Sequence, residues 1–253
     1  MSGAQFISIH SYRGGTGKSN ITANLGVLLA ARGLNVGLVD MDIQSPGIHA
    51  LFGFDVSSFK HCLNDYLWSR CTVEDAVYDL CGRLEKPVEG RLMLLPSSIH
   101  PGDIARIIHD GYDVDRLNDG LAAFTESLAL DVLLIDTHPG LGEETLLSLA
   151  LSDRLLVLLR PDQQDYQGTS VTLKVAAQLS VPKISLCINK APGSLPEDSL
   201  RQKIVEAYGH PVDAVFYHSE EMMVLGSGGI FAQRHPGHDF TRQLDDLAGK
   251  LVS

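Results

Sequence analysis

Short apolar runs alternate with longer stretches of helical period along the chain. The runs fall at residues 5–10, 35–40, 91–96, 131–136, 154–159, 183–189 and 212–216. Several contain unbroken apolar blocks, as in Val132-Leu133-Leu134-Ile135 and Leu155-Leu156-Val157-Leu158-Leu159. A strand with one wet face alternates in polarity. A strand covered on both faces reads as a continuous apolar run, and such burial is the rule in parallel sheets. Between the runs, residues 19–32 set Leu25, Leu28 and Leu29 on one helical stripe and end at Gly33, a residue suited to stopping a helix. Residues 166–179, 197–208 and 239–251 carry the same period. This strand–helix–strand repetition predicts an α/β fold, with a mainly parallel sheet flanked by helices. The stretch 54–90 is long for one crossover and is expected to hold two or three extra helices. With no repeat, low-complexity tract or long linker, residues 1–253 read as a single domain with a helical insertion around 54–90.

Composition narrows the functional classes. Apolar residues make up 44% of the 253 and charged residues 20%, the balance of a soluble globular chain able to bury one substantial core. The formal charge of −11 repels polyanions and argues against non-specific nucleic-acid binding. Arg201, Lys203, Arg234 and Arg242 are scattered among acids, so nucleic-acid binding is unsupported. Cys62, Cys71, Cys81 and Cys187 show no CxxC spacing and are expected to be reduced thiols of a cytosolic protein. Residues 1–10 lack the basic start and apolar core of a secretory leader, and Met-Ser-Gly is not a myristoylation start. No apolar run approaches the length of a bilayer span. The expected location is the cytoplasm.

The chemistry concentrates at one place. His10-Ser11-Tyr12-Arg13-Gly14-Gly15-Thr16-Gly17-Lys18-Ser19-Asn20 follows the first predicted strand and opens the first predicted helix. Glycines let backbone N–H groups converge on phosphate oxygens, and a helix N-terminus adds partial positive charge. Lys18 is placed to reach β- and γ-phosphates, and the Ser19 hydroxyl to ligate Mg²⁺. The ordinary phosphate-loop spacing would put glycine at position 12, where this chain has Tyr12.

The segment Arg13-Gly14-Gly15-Thr16-Gly17-Lys18-Ser19 resembles the deviant Walker A loop of the MinD/ParA family, written K-G-G-x-G-K-[ST], with Arg13 in place of the usual first lysine. Further landmarks follow in the family's order. Val36-Gly37-Leu38-Val39-Asp40-Met41-Asp42 resembles the second-strand motif ending in D-x-D. The stretches 64–67, 72–76 and 92–96 are similar to the corresponding MinD-like segments. Asp131-Val132-Leu133-Leu134-Ile135-Asp136-Thr137 looks like the Walker B strand, and Ile188-Asn189-Lys190 sits where the family places an adenine-reading asparagine. The resemblance implies a phosphate-loop ATPase of MinD-like type that binds ATP and Mg²⁺, hydrolyses slowly, and dimerises with ATP. It also implies a role in positioning or regulating a cargo through an activating or cargo protein.

The same resemblance assigns roles residue by residue. Gly14, Gly15, Thr16, Gly17, Lys18, Ser19 and Asn20 would bind the nucleotide. Ser19 and Asp136 would hold the metal, with Asp40 supporting its shell or standing as a plain strand-end aspartate. Asp42 would orient the attacking water. Asn189 is either the adenine reader or a turn-forming asparagine. Arg13 either reaches the nucleotide of a second subunit or caps the loop of its own, and retention of charge and loop position favours the first. His138 departs from the family's pattern after Asp136-Thr137; its ring falls near the expected switch loop, where it would sense the γ-phosphate or tune the pH response, and the plainer expectation is an exposed loop histidine.

Rival readings are weighed on residues. An ATP-dependent metallocentre or redox accessory protein needs cysteines near the Walker B loop or in C-x-C spacing, and 136–143 contains none. A bacterial tyrosine kinase carries a tyrosine-rich tail, and 233–253 has no tyrosine. His235-Pro236-Gly237-His238 lacks neighbouring ligands of metal spacing and reads as a turn. In the last predicted helix, Phe240, Leu244, Leu247 and Leu251 form an apolar stripe, while Arg242 and Lys250 face Asp239, Asp245 and Asp246. An interfacial helix needs a basic polar face, so this stripe is expected to pack on the protein's own sheet, and no membrane association is expected.

Overall fold

All seven apolar runs are strands, and an eighth joins them. In the computed structural model these are β1 (Gln5–His10), β2 (Asn35–Met41), β3 (Tyr78–Asp79), β4 (Arg91–Leu95), β5 (Val132–Thr137), β6 (Arg154–Leu159), β7 (Lys183–Ala191) and β8 (Val212–Tyr217). The structure describes residues 3–55 and 58–253. Met1 and Ser2, where the absence of a leader is partly read, and Val56 and Ser57 of the insertion lie outside the described residues. One sheet runs in the order β3-β4-β2-β5-β1-β6-β7-β8, parallel throughout except for the edge pairing of β3 with β4.

The helices are α1 (Lys18–Ala31), α2 (Ile48–Leu51), α3 (Leu63–Leu67), α4 (Pro101–Asp110), α5 (Val114–Ser127), α6 (Glu143–Leu151), α7 (Gln163–Gln178), α8 (Glu197–Tyr208), α9 (Glu220–Leu225), α10 (Phe231–Arg234) and α11 (Asp239–Leu251). They cover both faces of the sheet, which is why the central strands need no polar alternation. In β5, Val132 and Leu134 pack in the cluster that holds Leu25 and Leu29 of α1 and Leu244 and Leu247 of α11. Leu133 and Ile135 pack on the opposite face with Leu117, Leu121 and Phe124 of α5. In β6, Leu155, Val157 and Leu159 meet Leu173 of α7 and Leu200 and Ile204 of α8. Helix α1 is buried nearly all round, between the sheet and α11, and exceeds the stripe expected for it. Its end matches expectation: Gly33 takes φ +86 and its N–H bonds to the Ala30 carbonyl.

Two parts differ from the pattern reading. Among its described residues from 59 on, the stretch 54–90 holds one short helix, α3, two single 3₁₀ turns at Glu74–Ala76 and Cys81–Arg83, and the two-residue strand β3. A two-residue edge strand has no period to read, and Tyr78 opposite Leu94 with Asp79 opposite Met93 is its whole ladder. Helices α4, α5 and α6 also join those the period named. Leu117, Leu121 and Phe124 give α5 its stripe, and Asp113 caps it by accepting from the N–H groups of Asp115 and Arg116.

The strand order puts β1 between β5 and β6, while the chain leaves β1 for β2 on the far side of β5. The loops at the carboxyl ends of neighbouring strands diverge at such a point, and the crevice there is the usual ligand site of an open α/β sheet.

Candidate functional site

Every sequence-predicted site residue lies in or beside that crevice. The loop after β1 is held in shape locally: the Ser11 hydroxyl donates to the Arg13 carbonyl at 2.8 Å, and Gly15 and Gly17 take φ +75 and +93. At Gly17 a Cβ would also lie 2.7 Å from Asn189 Nδ2, so glycine is required for both conformation and approach. The loop opens into α1 and walls a cavity of about 210 Å³ lined by Ser11 and residues 14–20 with Asp42 and Pro139.

At the base of that cavity the side chains converge on Asp136, at the end of β5 and fully buried. Lys18 Nζ donates to Asp136 Oδ1 at 3.1 Å and lies 4.0 Å from Asp42 Oδ2. The Ser19 hydroxyl donates to Asp136 Oδ2 at 2.6 Å. Thr22, absent from the sequence-derived site, lies 3.3 Å from Asp136 Oδ1; its place one helical turn after Lys18 was the available signal. Burial opposes the Lys18 charge, but Asp136, Asp42 and Asp40 outweigh it and raise its pKa.

Asp40 is engaged by backbone. Its Oδ1 accepts the Asp42 N–H at 3.2 Å, and its Oδ2 accepts from Gly47 at 2.9 Å and Ile48 at 3.2 Å. Burial, with Asp136 and Asp42 nearby, pushes its pKa up to about 7. Three carboxylates thus crowd one ammonium, a surplus of negative charge that a divalent cation would relieve. Among the described residues no group of three His, Cys, Asp or Glu side chains stands where it could hold an ion unaided. The donor set therefore fits Mg²⁺ in the manner of nucleotide sites, with one hydroxyl, one carboxylate, water and phosphate oxygens, and no cage of protein ligands.

His138 is not an exposed loop histidine. Its ring is half-buried, with Nδ1 2.7 Å from Asp42 Oδ1, and the Thr145 hydroxyl donates to its carbonyl at 2.9 Å. The hydrogen bond to Asp42 is the largest influence raising its pKa, against burial. His10, at the end of β1, lies 2.8 Å from the Thr137 hydroxyl through Nδ1, and burial lowers its pKa to about 3.

Asn189 and Lys190, at the end of β7, grip the loop. Asn189 Nδ2 donates to the Thr16 carbonyl at 2.7 Å, and Lys190 Nζ donates to the Gly15 carbonyl at 2.7 Å. Beside them a second cavity of about 210 Å³ shares Gly17 and Asn20 with the first and is lined also by Tyr217, His218, Met222 and Phe240. Asn20 Oδ1 is buried without a hydrogen-bond partner at this junction. The residues from β8 and α9 were not legible, because no motif marks them and only the fold brings them to the loop.

Arg13 faces its own chain. It lies 3.5 Å from both Asp162 and Asp165, at the start of α7, and Arg160 pairs with the same acids. Tyr12 lies against Gly168 of α7, where a Cβ would come within 2.0 Å of the ring. His235 and His238 form a turn: both rings lie against Phe231, and His238 Nδ1 caps α11 by accepting from the Phe240 N–H. The four cysteines are free; Cys62 is pushed up to about 12 by burial, and Cys187 is raised for the same reason.

Comparison with known proteins bears on the family and the fold. A family model described as an AAA domain matches residues 4–185. An uncharacterised ATP-binding protein of Methanocaldococcus jannaschii is 28% identical, over 97% of this chain and 87% of its own. The flagellum site-determining protein YlxH of Helicobacter pylori is 25% identical over 98% of this chain and 82% of its own. An iron–sulfur cluster carrier protein of Aquifex aeolicus is 26% identical over 87% of this chain and 56% of its own. Among solved structures, the septum site-determining protein MinD of Pyrococcus horikoshii, complexed with Mg-ADP, superposes with a TM-score of 0.81 at 21% identity, covering 98% of this chain and 96% of the other. The fold is that of the MinD and ParA ATPases.

Proposed function

The chain belongs to the AAA domain family, whose model spans residues 4–185, and from that premise we propose that it is an ATP-driven molecular switch that dimerises with ATP, hydrolyses it slowly and positions or regulates a cargo. The observation that carries this reading is the buried convergence of Lys18 and Ser19 on Asp136 at the base of the glycine-rich cavity. Lys18 and the amides of Gly14 to Ser19 would take the phosphates, with Lys18 exchanging part of its contact with Asp136 for β- and γ-oxygens. Ser19 and, through water, Asp136 would hold Mg²⁺, which when bound supplies charge neutralisation on the phosphates. Asp40, with both oxygens on turn amides, supports the site from behind by fixing the turn that carries Asp42.

In hydrolysis a water oxygen bonds to the γ-phosphorus. The bond from phosphorus to the β–γ bridging oxygen breaks, its electron pair leaves with ADP, and the water proton passes to phosphate oxygen and solvent. Asp42 orients the water. Asn20 and Asn189, at the junction of the two cavities, would read the base in the second one.

Arg13 would reach a second subunit's nucleotide. Its present contacts do not prevent this: the pair with exposed Asp162 is worth about 0.2–1 kcal/mol, less than a charge-assisted contact to phosphate supplies, and buried Asp165 keeps Arg160 as its partner when Arg13 leaves. The relative named for flagellum siting supports a positioning role. The partner would be an activating or cargo protein, and the setting cytoplasmic.

The iron–sulfur carrier relative favours a second reading, an accessory ATPase for a metallocentre. Against it, Cys62, Cys71 and Cys81 lie in the insertion and Cys187 is buried in β7, away from the loop after β5. Iron content of anaerobically purified protein separates the two: a stoichiometric cluster supports the second reading. The first is tested by calorimetry of ATP with Mg²⁺, where micromolar or tighter binding that depends on Lys18 is expected and no binding would overturn it.

A further inference from the structure

The end of β2 and the end of β5 are neighbours in register. Asp40 stands opposite Asp136, and Met41 opposite Thr137. The next residues are Asp42 and His138, so the register itself delivers the imidazole to the carboxylate across 96 residues of sequence. The contact at 2.7 Å has a fixed sense. A carboxylate accepts, so the proton sits on Nδ1 of His138 and Asp42 Oδ1 receives it. Oδ1 also accepts the Ser45 N–H at 3.2 Å. With two donors on Oδ1, the carboxylate is turned so that Oδ2 is the oxygen nearer Lys18, at 4.0 Å, in a cavity lined by both residues. His138 is itself fixed from the other side by the Thr145 hydroxyl on its carbonyl, which ties it to α6.

We infer that His138 is a positioning residue for phosphoryl transfer, holding Oδ1 of Asp42 so that Oδ2 faces the nucleotide and its attacking water. The inference rests on the reading of Asp42 as the water-orienting group. It asks nothing of His138 but a hydrogen-bond donor at the Nδ1 position, and the lining of the phosphate cavity includes Asp42 and Pro139 but not His138. A displacement of about 1 Å in a group that orients a nucleophile costs up to about a hundredfold in rate. Binding of ATP, made by the loop and Lys18, is left alone. Asparagine can present an N–H from nearly the same place as Nδ1, and alanine cannot.

The experiment measures ATP hydrolysis and nucleotide affinity of the full chain with Mg²⁺, for wild type, His138→Ala, His138→Asn, Asp42→Ala and the double alanine variant. His138→Ala is expected to lower kcat by about ten- to a hundredfold, with KM for ATP and ADP affinity unchanged, which also shows that the variant is folded. His138→Asn recovers most of the loss, and the double variant is no slower than Asp42→Ala, because the two residues act as one unit. Wild-type kcat in His138→Ala, loss of affinity in proportion to kcat, failure of Asn to rescue, or an additive loss in the double variant overturns the positioning role. If instead Asp42→Ala itself turns over like wild type, the reading of Asp42 falls and takes this one with it. If Asp42→Ala is inactive and His138→Ala is not, only the positioning role falls.

Discussion

A single ammonium, Lys18, faces three buried carboxylates, and the site's electrostatics depend on it. Replacing it with alanine removes the ammonium that the phosphates would meet inside the cavity. A charge-assisted contact is worth about 1.5–3 kcal/mol, so Lys18→Ala should weaken ATP binding by about ten- to a hundredfold. Calorimetry reads this directly, with circular dichroism to confirm the fold; unchanged affinity would place ATP elsewhere. Arg13→Ala should leave ATP affinity near wild type and abolish the ATP-dependent dimer, while Arg13→Lys keeps part of it. Light scattering decides, and a normal dimer in Arg13→Ala would confine Arg13 to its contacts with Asp162 and Asp165. Residue by residue, the loop was legible because its parts are contiguous and each glycine has a local reason. The partnership of Asp42 with His138 was not, because it depends on which strands are neighbours. Once β2 and β5 are paired with Asp40 opposite Asp136, it follows from counting two residues along each.

Among the elements, α11 shows how a period becomes a packing statement. Phe240, Leu244, Leu247 and Leu251 are all buried, in one cluster with α1 and Phe216 of β8. The stripe expected to pack on the protein's own sheet does so, together with α1. Leu244→Ala should therefore cost about 2–5 kcal/mol of stability, as deletion of a fully buried leucine side chain does. A denaturant melt checks it; a cost under about 1 kcal/mol would mean that the helix is dispensable to the core. No helix among the described residues is long and apolar enough to cross a membrane. The long helices α1, α7, α8 and α11 were legible from their period, whereas α4, α5 and α6 emerged only with the fold. The edge strand β3 was not, since two residues carry no period, and the short turns of the insertion carry little more. Helix α1 exceeded its predicted stripe because α11, far away in sequence, covers its outer side.

For the whole molecule, the alternation of strands and helices disclosed the class, while the strand order came from the fold alone. That order decides function, because it brings the loops after β1, β2, β5, β7 and β8 to one edge. It also buries opposed titrating groups. His10 refuses a proton until about pH 3, whereas the unfolded chain takes one near 6.5, so its contribution to stability is present above 6.5 and lost as pH falls toward 3. Asp40 holds its proton up to about 7 when folded and only to 3.8 when unfolded, so it acts in the opposite sense over nearly the same window. The two oppose each other in the wild type. His10→Gln removes the first and keeps the second, so its melting temperature should rise relative to wild type as pH falls from 7 to 5. Parallel curves would show that His10 is not held neutral by the fold.

The central claim, that ATP drives two copies of this chain together at the glycine-rich loop, is tested most directly by the molar mass of Asp42→Ala in solution. This variant should bind ATP and hydrolyse little, so the bound state persists through the measurement. Light scattering with Mg²⁺ and ATP is expected to give the mass of two chains, and with ADP the mass of one. The mass of one chain under both conditions, in protein shown by calorimetry to hold ATP, would contradict the switch.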